Sequence, residues 1–191
     1  MENKEDHSPL TLADKKSHEI LSAFLSKNSS FPVLSEEGKD IPYRERKNWE
    51  RFWLIDPLDG TKEFIKRNGE FTINVALIRR GKPVAGIIYA PVKDVLYHAV
   101  KGKGAYKIEG GKTSRLPDKN GNSTLTVAGS RSHGTREFEE YVQGLRERYG
   151  EVALVSAGSS LKFCLVAEGL AHIYPRLGPT MEWDTAAGQV L

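Results

Sequence analysis

The chain has 191 residues, of which 39% are hydrophobic and 28% are charged, and its formal net charge is +3 at pH 7. This length and composition allow a buried core in one domain or in two small ones. No apolar stretch approaches the roughly 20 residues that span a bilayer, and the first residues lack the apolar segment of a signal peptide. We therefore expect a cytoplasmic protein without a transmembrane segment, with peripheral attachment at the inner membrane face left open.

The charge pattern argues against nucleic acid as a partner. The 28 Lys and Arg residues are scattered rather than clustered, and a mildly basic solvated surface explains them better than a nucleic-acid footprint does. An anionic small substrate fits the charge equally well. Cys164 is the only cysteine, so an internal disulfide is excluded, and its apolar surroundings favour a buried small side chain over a nucleophile.

The first predicted helix begins after Thr11 and ends near residue 26. Thr11 and Asp14 have the spacing of a capping box, which places Asp14 in the first turn, where it stabilises the helix dipole. The apolar face is predicted from Ala13, Ile20, Leu21, Phe24 and Leu25. A short extended segment at 31–34 then leads to Glu36 and Glu37, which without further context form an exposed acidic turn.

The central segment is a strand that leads into an acidic loop. The apolar run Phe52–Ile55 predicts a strand that stops at Asp56 and Pro57, because proline cannot donate to a ladder. Asp56 and Asp59 leave this strand three residues apart. Two such carboxylates are tolerated if one is protonated or if a divalent cation such as Mg²⁺, Mn²⁺ or Ca²⁺ lies between them. An ordinary Asp-rich surface turn is the alternative interpretation.

The rest of the chain divides into two halves. Strands are predicted at 72–78, 83–89, 95–100 and 105–108, and their short connections indicate an antiparallel meander. We predict a linker at 117–123 between an α+β half, residues 1–116, and an α/β half, residues 124–191. In the second half, strands at 125–128, 152–155 and 170–174 alternate with helices at 135–149 and 159–168.

Two polar features of the second half have both a functional and a structural interpretation. Gly158, Ser159 and Ser160 lie between a strand and a helix, where free amide groups and hydroxyls favour an anion or simply cap the helix. Lys162 could add a positive charge. Asp184 lies at the predicted start of the last helix, where a capping role would be sufficient.

Five segments in order carry a resemblance to a known family. They are Asp59–Ile65, Gly69–Thr72, Ser130–His133, Gly158–Phe163 and Trp183–Gly188, and the first follows the strand and the Asp-Pro-Leu of residues 56–58. The chain resembles the magnesium-dependent, lithium-sensitive phosphatases related to inositol monophosphatase. Within that family it is most similar to bacterial 3'(2'),5'-bisphosphate nucleotidases of the CysQ type. The resemblance implies a layered αβαβα sandwich of the α/β class, and we expect this chain to be truncated at both ends of that fold.

The resemblance also implies the roles of individual residues. The metal ligands would be the side chains of Glu36, Asp56, Asp59 and Asp184 and the carbonyl of Leu58, holding two or three Mg²⁺ ions, with Mn²⁺ as an alternative. The catalytic residues would be Asp14, Thr61 and Glu36, with Asp14 and Thr61 activating the attacking water. The substrate would be bound by Gly60, Thr61, His133, Ser159, Lys162, Arg176 and Asp184.

The implied reaction is hydrolysis of the 3'-phosphate of adenosine 3',5'-bisphosphate to AMP and phosphate, with the sulfated relative of that nucleotide as a second substrate. The partner is therefore a small nucleotide bisphosphate, and the oligomeric state is left open. Two alternatives remain. One is an inositol or sugar monophosphatase that uses the same metal loop, and the other is a fragment without catalytic activity.

Overall fold

The computed structural model describes residues 2–3, 9–118, 123–130 and 135–191. The helices are α1 (Leu12–Asn28), α2 (Tyr43–Arg46), α3 (Thr61–Ile65), α4 (Arg136–Tyr149), α5 (Leu161–Glu168) and α6 (Glu182–Thr185), followed by a 3-10 turn at Gly188–Val190. The strands are β1 (Glu2–Asn3), β2 (Pro9–Leu10), β3 (Val33–Ser35), β4 (Arg51–Asp59), β5 (Thr72–Arg79), β6 (Lys82–Ala90), β7 (Val95–Val100), β8 (Gly104–Glu109), β9 (Lys112–Arg115), β10 (Leu125–Ser130) and β11 (Val152–Ala157). Among the described helices, none combines the length and the apolar character that crossing a membrane requires.

Most strands belong to one sheet of seven strands in the order β3 to β9. Strand β3 is parallel to β4, and every later neighbour is antiparallel. The antiparallel meander predicted from the short connections is therefore confirmed. Strands β10 and β11 form a separate parallel pair, as expected for strands joined by a helix.

Helices cover both faces of the large sheet and link it to the small one. On one face, Ile55 and Val75 pack against Leu25 of α1. On the other face, apolar residues such as Ile88 and Tyr97 pack against α5, α6 and the residues that follow. Helix α5 also contacts β10 and β11, whose other face carries α4. The layers are thus α1, large sheet, α5 with α6, small sheet and α4, which is the predicted αβαβα order.

Helix α1 has the predicted start, but its inward face differs from the prediction. Thr11 and Asp14 form the expected capping box. Ile20 and Phe24, however, are 69% and 63% exposed. The buried stripe instead follows Asp14, Leu21 and Leu25. Two polar contacts fill the turn between Asp14 and Leu21, since the Ser17 hydroxyl donates to Pro57 O at 2.7 Å and His18 Nδ1 lies 2.8 Å from Ser35 Oγ.

Strand β4 extends further than the sequence predicts. We expected it to stop at Asp56 and Pro57, yet it continues to Asp59, with a shift in register between Asp56 and Asp59. This irregularity leaves Pro57 outside the regular pairing, so its missing N–H costs no ladder hydrogen bond.

The second half shows two further differences. Helix α5 begins at Leu161 rather than at 159, because Ser159 has a φ of 54° and cannot belong to a right-handed helix. Residues 170–174 form no strand, only a single bridge between Ile173 and Val127. The predicted linker at 117–123 lies partly outside the described residues, and the division into two halves stays a prediction. Cys164 is 1% exposed and burial raises the pKa of its thiol, in agreement with the predicted packing role.

Candidate active site

The acidic loop at the end of β4 is buried. Asp56 is 1% exposed and Leu58 is 5% exposed. Within the loop, Leu58 N donates to Asp56 Oδ1 at 3.1 Å. Gly60 follows with a φ of 90°, a backbone conformation that favours glycine. The close turn delivers Thr61 as the first residue of α3.

Asp56 is surrounded by other acids. Burial raises its pKa well above the usual range, and repulsion from Asp59 and Glu36, a hydrogen bond with Glu36 and repulsion from Asp184 add to this. Glu36 comes close because β3 pairs in parallel with β4 and the Glu36 amide donates to Ile55 O at 3.2 Å. Three of the predicted metal ligands thus act through their charges on the fourth, Asp56.

Asp14 reaches the loop from α1. It is completely buried, and its Oδ2 accepts from the Thr11 amide at 2.8 Å and from the Thr11 hydroxyl at 2.5 Å. Its Oδ1 accepts from the Thr61 hydroxyl at 3.2 Å, which also lies 3.4 Å from Leu58 O. The capping interpretation and the interpretation as a partner of Thr61 therefore both describe the same side chain.

The turn before α5 is joined to the loop through Asp59. The hydroxyls of Ser159 and Ser160 donate to Asp59 Oδ2 at 2.6 and 2.8 Å. Ser159 Oγ also lies 2.7 Å from Thr72 Oγ1, and Asn74 Nδ2 donates to Ser160 Oγ at 2.9 Å. Neither serine side chain caps α5. The two hydroxyls link the large sheet to the second half of the chain.

Two cations lie beside this turn. Lys162 is 4% exposed, and its ammonium donates to Ser159 O at 2.7 Å and to Ala157 O at 3.1 Å. Burial lowers its pKa, the attraction of Asp59 opposes this shift, and repulsion from Arg176 adds to it. Arg176 Nη1 donates to the hydroxyl of Tyr174 at 3.0 Å.

Asp184 lies in the first turn of α6 rather than at its N-cap, which is Met181. Its Oδ2 accepts from the Thr180 hydroxyl at 2.8 Å, the Met181 amide at 3.1 Å and Arg176 Nη2 at 3.3 Å. The backbone carbonyl of Asp184 also accepts from Ser160 Oγ at 3.1 Å. Asp184 is thus tied both to a predicted phosphate ligand and to the turn that holds Asp59.

Six of the predicted site residues line one cavity of about 150 Å³, namely Asp59, Gly60, Ser159, Lys162, Arg176 and Asp184. A second cavity, of about 290 Å³, shares Ser130, Lys162, Tyr174 and Arg176 with it. Asp14, Thr61, Asp56 and Glu36 approach from the side of the large sheet through the contacts described above. His133, predicted to contact the substrate, lies outside the described residues.

The donor set suits a hard divalent cation. Carboxylates and a backbone carbonyl are the ligands that Mg²⁺ and Mn²⁺ prefer, and the buried Asp56 carboxylate is surrounded by acids, which a cation would neutralise. Within the described residues, no three Asp, Glu, His or Cys side chains form a closed set of ligands. The carboxylates of Asp59 and Asp184 accept from hydroxyls instead. The residues therefore have the chemistry to bind a metal ion. To do so, the carboxylates of Asp59 and Asp184 would have to give up these hydrogen bonds.

Sequence reasoning missed two residues of this region. Glu70 Oε2 accepts from the Gly158 amide at 2.9 Å, and a Cβ at Gly158 would lie 2.8 Å from Glu70 O. Glu70 belongs to one of the motif segments, so the signal was present without an assigned role. Tyr174 contacts both cations, and only its position two residues before Arg176 could have suggested this.

Comparison with known proteins places the chain in a family. Residues 1–191 match the inositol monophosphatase family. The chain is 54% identical over 190 residues to the 3'(2'),5'-bisphosphate nucleotidase CysQ of Salmonella typhimurium, with 98% of this chain and 74% of that protein covered. It is 52% identical over 191 residues to the nucleotidase CysQ of Escherichia coli K12, with 99% and 74% covered.

Solved structures agree with this result. CysQ from Bacteroides thetaiotaomicron, described as a bacterial member of the inositol monophosphatase family, superposes with a TM-score of 0.90 at 50% identity, over 98% of this chain and 74% of that one. SuhB from Mycobacterium tuberculosis superposes with a TM-score of 0.74 at 25% identity, over 93% and 69%. The resemblance drawn from the five sequence segments is confirmed, and the chain belongs to the inositol monophosphatase family.

Proposed function

We propose that the chain is a 3'(2'),5'-bisphosphate nucleotidase, a phosphatase that removes the 3'-phosphate of adenosine 3',5'-bisphosphate and leaves AMP. The observation that supports this function most directly is that the acidic loop and the cations Lys162 and Arg176 line one cavity. A monophosphate substrate needs only the acidic side. A substrate with two phosphates needs both the acidic side and the cationic side of the cavity. The sulfated relative of the nucleotide would also use both sides.

The acidic side would hold two or three Mg²⁺ ions, or Mn²⁺ in their place. Glu36, Asp56, Asp59 and Asp184 would bind them through carboxylates, and Leu58 would bind through its carbonyl. Such ions neutralise phosphate oxygens and lower the pKa of bound water. The influence of three of these acids on the pKa of Asp56 supports this assignment.

Thr61 and Asp14 would prepare the attacking water. A threonine hydroxyl can take a proton from water only if it passes its own proton to another acceptor. Asp14 Oδ1, 3.2 Å from the Thr61 hydroxyl, is placed for that role. The other carboxylate oxygen is held by Thr11. Asp14 is therefore fixed in orientation, and Thr61 is fixed with it. Glu36 would take part in catalysis as one of the acids around Asp56.

Lys162 and Arg176 would bind the phosphate that is not cleaved. Each phosphate group carries a charge of about −1.5 to −2 at neutral pH, and an arginine can grip it through two parallel hydrogen bonds. Gly60 and Ser159 line the same cavity, and we assign His133 and Asp184 to the substrate as well. An inositol or sugar monophosphatase would have no use for this second charged side.

The test compares phosphate release from adenosine 3',5'-bisphosphate and from inositol 1-phosphate, in the intact chain and in Lys162→Met and Arg176→Gln. We expect the nucleotide to be preferred, and both substitutions to lower its kcat/KM by roughly tenfold to a hundredfold. Lys101→Met, in the exposed turn that follows β7, serves as a charge-matched control. A preference for inositol 1-phosphate that both substitutions leave intact would favour the monophosphatase alternative.

A further inference from the structure

We propose that Tyr174 is a positioning residue that sets the preference for a second phosphate by holding Arg176 and Lys162 against its hydroxyl and its ring. The proposal rests on the proposed function, because it assigns those two cations to the phosphate that stays on the product. It adds a residue that contacts the cations rather than the reacting phosphate.

The first support is the way Arg176 is held. Its Nη1 donates to the Tyr174 hydroxyl at 3.0 Å, and its guanidinium carbon lies 6.0 Å from the centre of the tyrosine ring. At the other end, Nη2 contacts Thr180 and Asp184. A guanidinium has five N–H donors, so these contacts fix its plane and leave donors for an anion in the cavity that it lines.

The second support is the position of Lys162 on the same ring. Its ammonium lies 5.3 Å from the centre of the Tyr174 ring, within the range of a cation–π contact. Two of its three N–H groups donate to Ser159 O and Ala157 O. The same tyrosine ring therefore contacts both cations, which carry like charges and repel each other.

The third support is the rigidity of Tyr174 itself. The preceding residue, Ile173, accepts from the Ala128 amide at 2.8 Å and bridges to Val127. The tyrosine ring meets Phe163 of α5 edge to face, with centroids 5.0 Å apart and planes at 82°. The backbone before Tyr174 is thus bonded to the small sheet and its ring packs on α5, so the ring can position two long, flexible cations.

The position of the ring completes the argument. Tyr174 lines both the cavity of about 150 Å³ and the cavity of about 290 Å³. It lies where the cavity of the acidic loop meets the larger one, together with Lys162 and Arg176. A phosphate held there would be separate from the phosphate at the acidic loop, so the geometry selects a substrate that carries both.

The test measures binding by calorimetry, with adenosine 5'-monophosphate as the probe that keeps the second phosphate and adenosine as the probe that lacks it. We expect Tyr174→Phe, which keeps the ring but removes the hydroxyl, to weaken binding of the monophosphate by roughly tenfold. Adenosine binding should stay within a factor of about two. Tyr149→Phe, on the exposed end of α4, is the matched control.

A double-mutant cycle shows whether Tyr174 acts through Arg176. In an Arg176→Gln background, Tyr174→Phe should cause no further loss of monophosphate affinity. Equal loss for both probes, no loss for either, or a full additional loss in the double mutant would overturn the proposal. It would also be overturned if the unsubstituted chain bound the monophosphate no better than adenosine.

Turnover separates this proposal from the proposed function. If binding of the monophosphate depends on Tyr174 and the chain releases phosphate from adenosine 3',5'-bisphosphate, both stand. If binding depends on Tyr174 and no phosphate is released, the catalytic assignment fails and the role of Tyr174 in phosphate binding stands.

Discussion

The Thr61 hydroxyl donates to Asp14 Oδ1 over 3.2 Å, although 47 positions separate the two residues. The contact joins the first turn of α1 to the first residue of α3, directly after the acidic loop. Asp14 is completely buried, so its geometry is set by its partners rather than by solvent. One carboxylate therefore serves a helix cap and a hydroxyl in the candidate active site.

Removal of the Thr61 hydroxyl should abolish most of the turnover. We expect Thr61→Val to lower kcat by roughly 10² to 10⁴, the range for a lost general base, and Thr61→Ser to retain most of it. Asp14→Asn should lower kcat similarly and add about 1 kcal/mol of lost helix capping. Steady-state kinetics and urea unfolding of the three variants check this, and a Thr61→Val enzyme with normal kcat would contradict the assignment.

Ser160 should be important for stability as well as for the site. Its hydroxyl accepts from Asn74, which is 1% exposed, and donates toward Asp59. Ser160→Ala leaves the buried Asn74 amide without this acceptor, at a cost of roughly 1–3 kcal/mol in the free energy of unfolding. Ser114→Ala, at a half-buried position of β9 whose hydroxyl donates to the exposed Asp118 at 3.3 Å, should be nearly neutral in the same urea titration. Equal midpoints for the two variants would show the Asn74 contact to be unimportant.

Gly86 should tolerate no side chain. A Cβ at this position of β6 would lie 2.4 Å from the carbonyl oxygen of Ala187, because the residues after α6 pack directly on the large sheet. We predict that Gly86→Ala destabilises the chain by about 1–3 kcal/mol or more through overpacking.

The matched glycine is Gly144, in the exposed middle of α4, where a Cβ meets nothing within 4 Å. Gly144→Ala should stabilise the chain by about 0.4–1 kcal/mol, since alanine favours the helix. Thermal unfolding should therefore show a lower melting temperature for Gly86→Ala and a higher one for Gly144→Ala. A neutral Gly86→Ala would show that the last residues do not pack on β6 as described.

A buried network predicts how stability depends on pH. Tyr97 donates to Glu168 Oε1 at 2.6 Å, and Lys107 donates to Glu168 Oε2 at 2.9 Å. Burial and then the bond to Glu168 raise the pKa of Tyr97. For Lys107, burial lowers the pKa, but the hydrogen bonds with Glu168 and Glu109 outweigh it and the pKa is raised.

The sign of the effect follows from proton binding. Above about pH 10 the unfolded chain releases protons that the folded chain retains. The contribution of Tyr97 is thus fully present below that pH and is lost as the pH rises, by up to about 1.4 kcal/mol per pH unit. Urea midpoints from about pH 8 to about pH 11 should fall less steeply in Tyr97→Phe than in the parent or in the exposed control Tyr43→Phe. Parallel slopes would contradict the network.

Local sequence signals predicted the elements and the acidic loop well, because capping, periodicity and turn chemistry act over a few residues. These signals failed where contacts between distant segments of the chain determine which side chains are buried or bonded. Ile20 and Phe24 match the helical period yet are exposed, because Ser17 and His18 take the inward positions through bonds to Pro57 and Ser35.

The same reason explains the differences within the site. The sequence marks Ser159 as a cap or an anion ligand, whereas its hydroxyl donates to Asp59, 100 positions away. The contacts of Tyr174 with Lys162 depend on how residues 170–174 lie beside β10. The roles of the metal and substrate residues came from the family resemblance, and no spacing rule would have provided them.

The identity of the nucleotide product tests the central claim most directly. Adenosine 3',5'-bisphosphate is incubated with the chain with and without Mg²⁺, and with Asp56→Asn, and the products are separated by chromatography. We predict adenosine 5'-monophosphate and one equivalent of phosphate, formed only with the metal and only by the parent chain. Adenosine 3'-monophosphate as the product, or equal release by Asp56→Asn, would contradict the proposed placement of the scissile phosphate at the acidic loop.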